Sequence, residues 1–388
     1  MTGPTSRMGT VTGVWSRAVV ALGLAVVAAV PPGAQDQKSD VKQRDRLEQS
    51  QRQEGQAVLT IADAALAGKP VPADFQIRWQ NEFLKARQGT FVPFTLTIDV
   101  SALGALSALM YVRAVPRDAV TAPARPAKNR KSTEKGRGET PEVQYPVDAI
   151  FPVELKPESG GVARISRGFS VAPGDYDIYI VVRERSLQTT STASSRGPQM
   201  KAAVLVQPIS VPNFWSGELT TSTVILADRL NVLSEPISPD ELVERPYVIG
   251  QNDITPAADF RFRKDEELIV VFLVYNPTVT PDKKFDIQVE YHFFRRNGPG
   301  GRADTPVPAV PHPPERDGEK YFNHTDPQRF NPAIMGAQFD PNAGHPVMAG
   351  QGIPLAGFDF GDYRLAIKIT DLLSGQSITR DVHFTVGS

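Results

Sequence analysis

The sequence predicts an all-β protein: two immunoglobulin-like antiparallel β-sandwich domains with long proline-rich loops. Three observations carry that expectation. The apolar residues fall in short runs rich in Val, Ile, Phe and Tyr, bounded by Pro, Gly, Ser or Asp. Thirty-four prolines and thirty glycines punctuate the 388 residues too often for a protein of long helices. The same Gly-Asp-Tyr opening leads into a strand twice, at Gly174-Asp175-Tyr176 and at Gly361-Asp362-Tyr363.

The first sandwich is expected over 76–213. Its candidate strands are TFVPFTLTIDV (90–100), LSALMYVRAV (106–115), AIFPVELK (149–156), VARISRGFSV (162–171), YDIYIVVRE (176–184) and KAAVLVQPISV (201–211). Residues near 117–142, RDAVTAPARPAKNRKSTEKGRGETPE, are charged and proline-rich and supply no core, so they read as an inserted loop.

The second sandwich is expected over 214–388, through WSGELTTSTVILADRLNVL (215–233), ELIVVFLVYNPT (267–278) and KFDIQVEYHFFRR (284–296). In the last of these, Phe285, Ile287, Val289, Tyr291 and Phe293 share one face and Asp286, Gln288, Glu290 and His292 the other, which predicts one face on a core and one in water. The chain closes in a hairpin. Tyr363, Leu365, Ile367 and Ile369 line one strand, Val382, Phe384 and Val386 the next, with Arg380 near the rim and Gly375 in the turn.

A tyrosine at a strand opening can bury its ring and hydrogen-bond back to a neighbouring loop, as in the tyrosine corner of Greek-key sandwiches. That assigns Tyr176 and Tyr363 structural roles; the alternative is chance repetition of a common turn dipeptide.

Residues 1–34 follow the pattern of a secretory signal peptide: Arg7 and Arg17 precede an apolar run of 13 residues, followed by Pro31, Pro32, Gly33 and Ala34. The run is short of the roughly 20 residues of a membrane-spanning helix. Export to the periplasm or cell surface, without a lasting membrane span, is the resulting expectation. Residues 35–75 open with a polar stretch that reads as a flexible spacer, with a short helix near 61–66 or a packed loop after it.

The chain has no cysteine, so disulfides, thiol nucleophiles and thiolate metal sites are excluded. Without residues 1–34 it carries 40 basic and 43 acidic residues, a balance with no nucleic-acid footprint.

GELTTSTVILADRLNVL, ELIVVFLVYNP and FDFGDYRLAIKITDLLSGQSITRDVHFTV resemble the C-terminal β-sandwich segments of exported acidobacterial proteins, among them the VWFA-related and GWxTD-domain families. The resemblance covers about 215–386. It implies an exported modular protein and no particular activity. The metal-binding Asp-x-Ser-x-Ser loop is incomplete at Asp99-Val100-Ser101-Ala102-Leu103, and Gly-Trp never occurs.

Candidate chemistry is sparse. His292, His312, His324, His345 and His383 form no HExxH or paired helical spacing, so zinc has little support. His324 with Asp326 reads as an ordinary loop. Asp340-Pro341-Asn342-Ala343-Gly344 offers oxygen ligands but lacks a full calcium set, which favours an Asx turn; Asp326 and Asp359 are its only distant candidate helpers. No G-x-S-x-G elbow is present, and Arg295-Arg296 reads as a soluble strand end. Phe214, Trp215 and Tyr247 are expected at the junction between domains, as packing or as a binding element.

The expectation is therefore a non-enzymatic exported protein, structural or interaction-mediating, with no catalytic, cofactor or metal residues assigned. Its partner would be a protein or glycan of the cell envelope. The alternatives are a carbohydrate- or peptide-binding module, or a hydrolase built on carboxylates such as Asp326, Asp340 and Asp359.

Overall fold

A computed structural model describes residues 34–87, 89–118, 144–158, 160–185, 200–238, 241–296, 311–336 and 339–387, with side chains from residue 49 onward. The expected signal peptide, apart from Ala34, and residues 119–142 of the expected insertion lie outside the described residues.

In the first sandwich one sheet is built on β3 (Gly89–Asp99), with β1 (Ile77–Asn81) and β2 (Leu84–Ala86) sharing one edge and β6 (Val162–Val171) on the other. The facing sheet has the order β5 (Val147–Glu154), β4 (Ser107–Pro116), β7 (Gly174–Glu184), β8 (Ala202–Val211). Period two sends Val92, Phe94, Leu96 and Ile98 of β3 inward, where they meet Met110, Val112, Ile178, Ile180 and Val182 of the opposite sheet. All pairings in both sheets are antiparallel.

The second sandwich repeats the plan. One sheet centres on β14 (Glu267–Tyr275), which pairs β18 (Val347–Pro354) on one side and β9 (Thr220–Thr221) and β10 (Ile225–Val232) on the other; β12 (Asn252–Pro256) and β11 (Val248–Ile249) extend it. The other has the order β13 (Arg261–Arg263), β20 (Ser377–Gly387), β19 (Gly361–Asp371), β15 (Ile287–Arg296), and β16 (Glu319–His324) and β17 (Gln328–Phe330) share the far edge of β15. Leu268, Val270, Phe272 and Val274 face Ile287, Val289, Tyr291, Tyr363, Leu365, Ile367 and Ile369 across the core. The chain is thus an all-β protein of two immunoglobulin-like sandwiches.

The closing hairpin has the expected inward faces: Phe384 and Val386 are buried and Val382 packs half-buried on the same core. Gly375 takes a φ of 73°, which an L side chain would strain. Both tyrosine corners form. Tyr176 donates its hydroxyl to the Ala172 carbonyl at 3.0 Å and Tyr363 to that of Asp359 at 2.9 Å. The glycines that open these strands have matching φ values, 145° at Gly174 and 146° at Gly361.

Three sequence expectations need correction. Residues expected as a spacer form α1 (Ala34–Leu66). Lys, Arg, Glu and Gln are good helix formers that need no burial, and Val58 and Ala62 bury against Leu109, Tyr111 and Val181 on the outer face of the β4–β7 sheet. Arg113–Asp63 at 2.7 Å and Arg185–Glu54 at 3.2 Å tie the helix to that sheet. Second, the polar face of β15 is not all in water: His292 and Phe294 are buried, because His312 and Tyr321 lie over them. Third, Arg295 does not guard an edge, since β15 is flanked on both sides; it clamps Asp359 at 2.9 Å and the Phe360 carbonyl at 2.8 Å.

Candidate recognition cleft between the sandwiches

The two sandwiches meet through the edge formed by β1 and β2. Phe83 and Thr223 exchange hydrogen bonds: the Phe83 N–H donates to Thr223 Oγ1 at 2.9 Å, and the Thr223 N–H to the Phe83 carbonyl at 3.1 Å. Leu84, Phe214, Leu273 and Tyr275 bury together beside them. Next to this apolar seam Glu82 is buried, and burial pushes its carboxyl up to about 8, against the opposing pull of polar groups on Gln80 and Thr223.

On one side of the seam the surface opens into a cleft of about 840 Å³ lined by both sandwiches. Lys85 reaches into it from β2. Its backbone N–H is fixed by the Tyr275 hydroxyl at 3.0 Å, and its ammonium donates to Asn276 Oδ1 at 2.8 Å while standing 4.2 Å from the centre of the Trp215 ring. Burial lowers the Lys85 pKa from its ordinary value. Asn276 has a φ of 55° and donates its Nδ2 to the carbonyls of Phe214 and Glu218, at 3.1 and 2.9 Å. A strained asparagine therefore holds the turn that carries Trp215.

Trp215 is anchored at its polar atoms, with Lys85 over its ring, and is otherwise exposed. Its N–H donates to Asn213 Oδ1 at 2.9 Å and its indole Nε1 to the Gly89 carbonyl at 3.3 Å, yet 53% of the residue is exposed. Lys85, Arg87 and His345 line the cleft, and among the described residues no Asp or Glu does. The expectation for the junction aromatics is divided accordingly. Phe214 and Tyr247 are packed, whereas Trp215 stays half-exposed, with the Lys85 ammonium over its ring.

Of the other residues singled out in the sequence, Pro341 to Gly344 of the DPNAG turn and His345 line the cleft, and the rest lie elsewhere. Asp340 pairs with Lys283 at 3.0 Å and its Oδ1 accepts the Asn342 N–H at 3.0 Å, an Asx turn. Asp359 is held by Arg295, and Asp326 falls in the turn between β16 and β17. Among the described residues no three His, Asp or Glu side chains are grouped to hold a metal ion. His345 is the one histidine of the cleft; it also accepts the Asp340 N–H at Nδ1, 3.2 Å away.

His292, His312 and His324 gather around Tyr321 on the outer face of the β15 sheet. The His312 ring stacks on Tyr321 at 4.0 Å, and the Tyr321 hydroxyl lies 3.1 Å from His324 Nδ1 and 3.4 Å from His292 Nδ1. Burial drives His292 down to about 4, so it is neutral at ordinary pH. Beside them Arg364 is buried between Glu319 at 2.8 Å and Asp381 at 2.9 Å, with its guanidinium 4.0 Å from the centre of the Phe294 ring. His383 lies opposite Arg364 on β20, exposed. Apart from the buried His292 Nε2, which has no hydrogen-bond partner, this network is paired and reads as structural.

Among the described residues no helix is long and apolar enough to cross a membrane. No protein-family model matches the chain, and no curated protein is similar to it in sequence. Solved structures with partial likeness are a point mutant of Salmonella alpha-2-macroglobulin (14% identity, TM-score 0.18), the native conformation of E. coli alpha-2-macroglobulin (11%, 0.20) and Salmonella alpha-2-macroglobulin reacted with methylamine (15%, 0.16). Each match covers 82% of this chain, which spans only 17%, 14% and 17% of theirs.

Proposed function

We propose that the protein is a non-enzymatic recognition module of the bacterial envelope that binds an acidic glycan in the cleft between its sandwiches. The observation that carries the reading is the pairing of a half-exposed Trp215 ring with Lys85 and Arg87 in a concave site that no carboxylate lines among the described residues. An apolar ring face suits the C–H face of a pyranose, and the cations suit its carboxylates; concave sites with a few placed polar groups are where ligands bind. Among the described residues that line it there is no Ser, Thr, Cys, Asp or Glu, which supports binding as its chemistry. Export to the envelope is supported by the basic-then-apolar segment over residues 7–30.

Calorimetric titration with tetragalacturonate and with its methyl ester tests this, because esterification removes charge and keeps the ring. The acid should bind and the ester should not. Trp215→Ala should abolish binding, and Lys85→Met should weaken it by about tenfold, the worth of one charge-assisted hydrogen bond. Equal binding of acid and ester, or undiminished binding by the Trp215 variant, would overturn the proposal. Tighter binding of hexaglutamate than of tetragalacturonate would replace the glycan by an acidic peptide.

A further inference from the structure

A second groove, of about 300 Å³, lies on the lateral opening of the second sandwich, between β20 and β9. Phe83, Phe214 and Val382 form apolar walls, and Arg380 lies within it. The guanidinium is half-buried and makes only neutral contacts: Nε to Thr221 Oγ1 at 2.9 Å, Nη2 to Thr220 Oγ1 at 3.2 Å and Nη1 to the Thr379 carbonyl at 3.2 Å. No carboxylate among the described residues forms an ion pair with it. Burial alone depresses its pKa, with no anion to offset the cost.

The groove borders a bare sheet edge. The Asp371 N–H donates to the Gln376 carbonyl at 2.9 Å, which sets the alternation of the hairpin. Ile378, Arg380, Val382 and Phe384 then bond β19, while Ser377, Thr379, Asp381 and His383 turn their N–H and C=O groups outward. Thr385 has the same parity, and its N–H does point outward, to the Phe260 carbonyl at 2.9 Å. Beyond it β13 covers only Thr385 to Gly387, in parallel. Among the described residues no strand pairs with the edge from Ser377 to His383, and that stretch carries no proline.

We propose that this edge accepts an extended acidic peptide strand from a partner protein, its main chain pairing with Thr379, Asp381 and His383 and one carboxylate entering the groove to meet Arg380. Strand addition draws affinity from main-chain hydrogen bonds and specificity from alternate side-chain pockets. Charge chooses the occupant. The β20 residues that line the groove are Arg380, Asp381 and Val382, and Asp381 is already paired with Arg316 and Arg364, so a second copy pairing edge to edge would bring a like charge and an acid that is already neutralised. This site is separate from the cleft and stands whether or not a glycan binds there.

Fluorescence anisotropy of the full chain with a labelled peptide of alternating valine and threonine and one central aspartate tests the proposal, with an asparagine peptide as control. The aspartate peptide should bind about tenfold more tightly, the worth of a charge-assisted bond. Arg380→Gln should bind both peptides alike. Thr379→Pro removes an outward N–H without touching the ladder to β19, and should weaken both. If that variant unfolds, peptides with N-methylated edge-facing amides give the same reading on the unaltered protein, with loss of binding expected. Equal affinity for the two peptides, no binding of either, or insensitivity to amide blocking would overturn the proposal. So would a concentration-dependent dimer, seen by sedimentation, that competes with the peptide.

Discussion

Glu82 should make the first sandwich and its junction less stable as pH rises. Its carboxyl is buried and pushed from the usual 4.5 up to about 8, with burial as the main cause and no cation paired to it among the described residues. Between these values the folded chain keeps a proton that the unfolded chain releases. Stability from this group is therefore complete below about pH 4.5 and lost progressively up to about pH 8. At about 1.4 kcal/mol per pH unit the full effect reaches about 5 kcal/mol as an upper limit, because partial hydration and relaxation of the junction reduce it. Glu82→Gln keeps the shape and cannot ionise. Urea unfolding of both proteins from pH 5 to 8.5 in a Trp15→Phe, Trp215→Phe background, followed by the emission of Trp79, isolates the effect; Trp79 stacks on Phe94 at 4.3 Å inside the first sandwich. The variant should match the parent near pH 5 and exceed it by several kcal/mol at pH 8. Equal pH slopes in the two proteins would refute the reasoning.

Other outcomes follow from the same geometry. Phe384→Ala removes a buried ring stacked on Tyr363 at 5.4 Å and should cost about 3 to 5 kcal/mol in denaturant unfolding. Lys368→Ala, which breaks a half-exposed pair with Glu290, should cost no more than about 1 kcal/mol. Tyr176→Phe and Tyr363→Phe each delete one hydrogen bond to a carbonyl four residues back and should each cost about 1 kcal/mol, read as a fall in the denaturation midpoint of the sandwich concerned. His292, depressed to about 4, should show no protonation in an NMR titration down to pH 5; the second sandwich should lose stability as pH falls from about 6.5 toward 4, since the unfolded chain then binds the extra proton.

The strands were legible because their faces alternate. VARISRGFSV occupies β6 at the expected residues, and the inward set runs without interruption from Phe285, just before β15, to Phe293. The repeated Gly-Asp-Tyr was legible for a local reason: the hydrogen bond it makes spans four residues. What lay beyond a single strand was harder to see. LSALMYVRAV is apolar without alternation because β4 is buried on both faces, from Ser107 to Ala114; that pattern was the available sign that something covers the outer face, and α1 does. The cleft had no local signature. Lys85 and Asn276 meet from opposite sandwiches, and only the turn they brace leaves Trp215 open. Likewise the missing counter-ion of Arg380 is a property of the assembled groove, although its intrusion into an apolar strand was visible.

The central claim is that the cleft between the sandwiches recognises an acidic glycan through Trp215. Its most direct test is the indole N–H resonance of Trp215, assigned by its loss in Trp215→Phe, followed during titration with tetragalacturonate. The account predicts a saturable shift of this signal and none of Trp79, with no response to the methyl ester. A Trp215 resonance that stays fixed at saturating acid, or that moves equally with the ester, would contradict it.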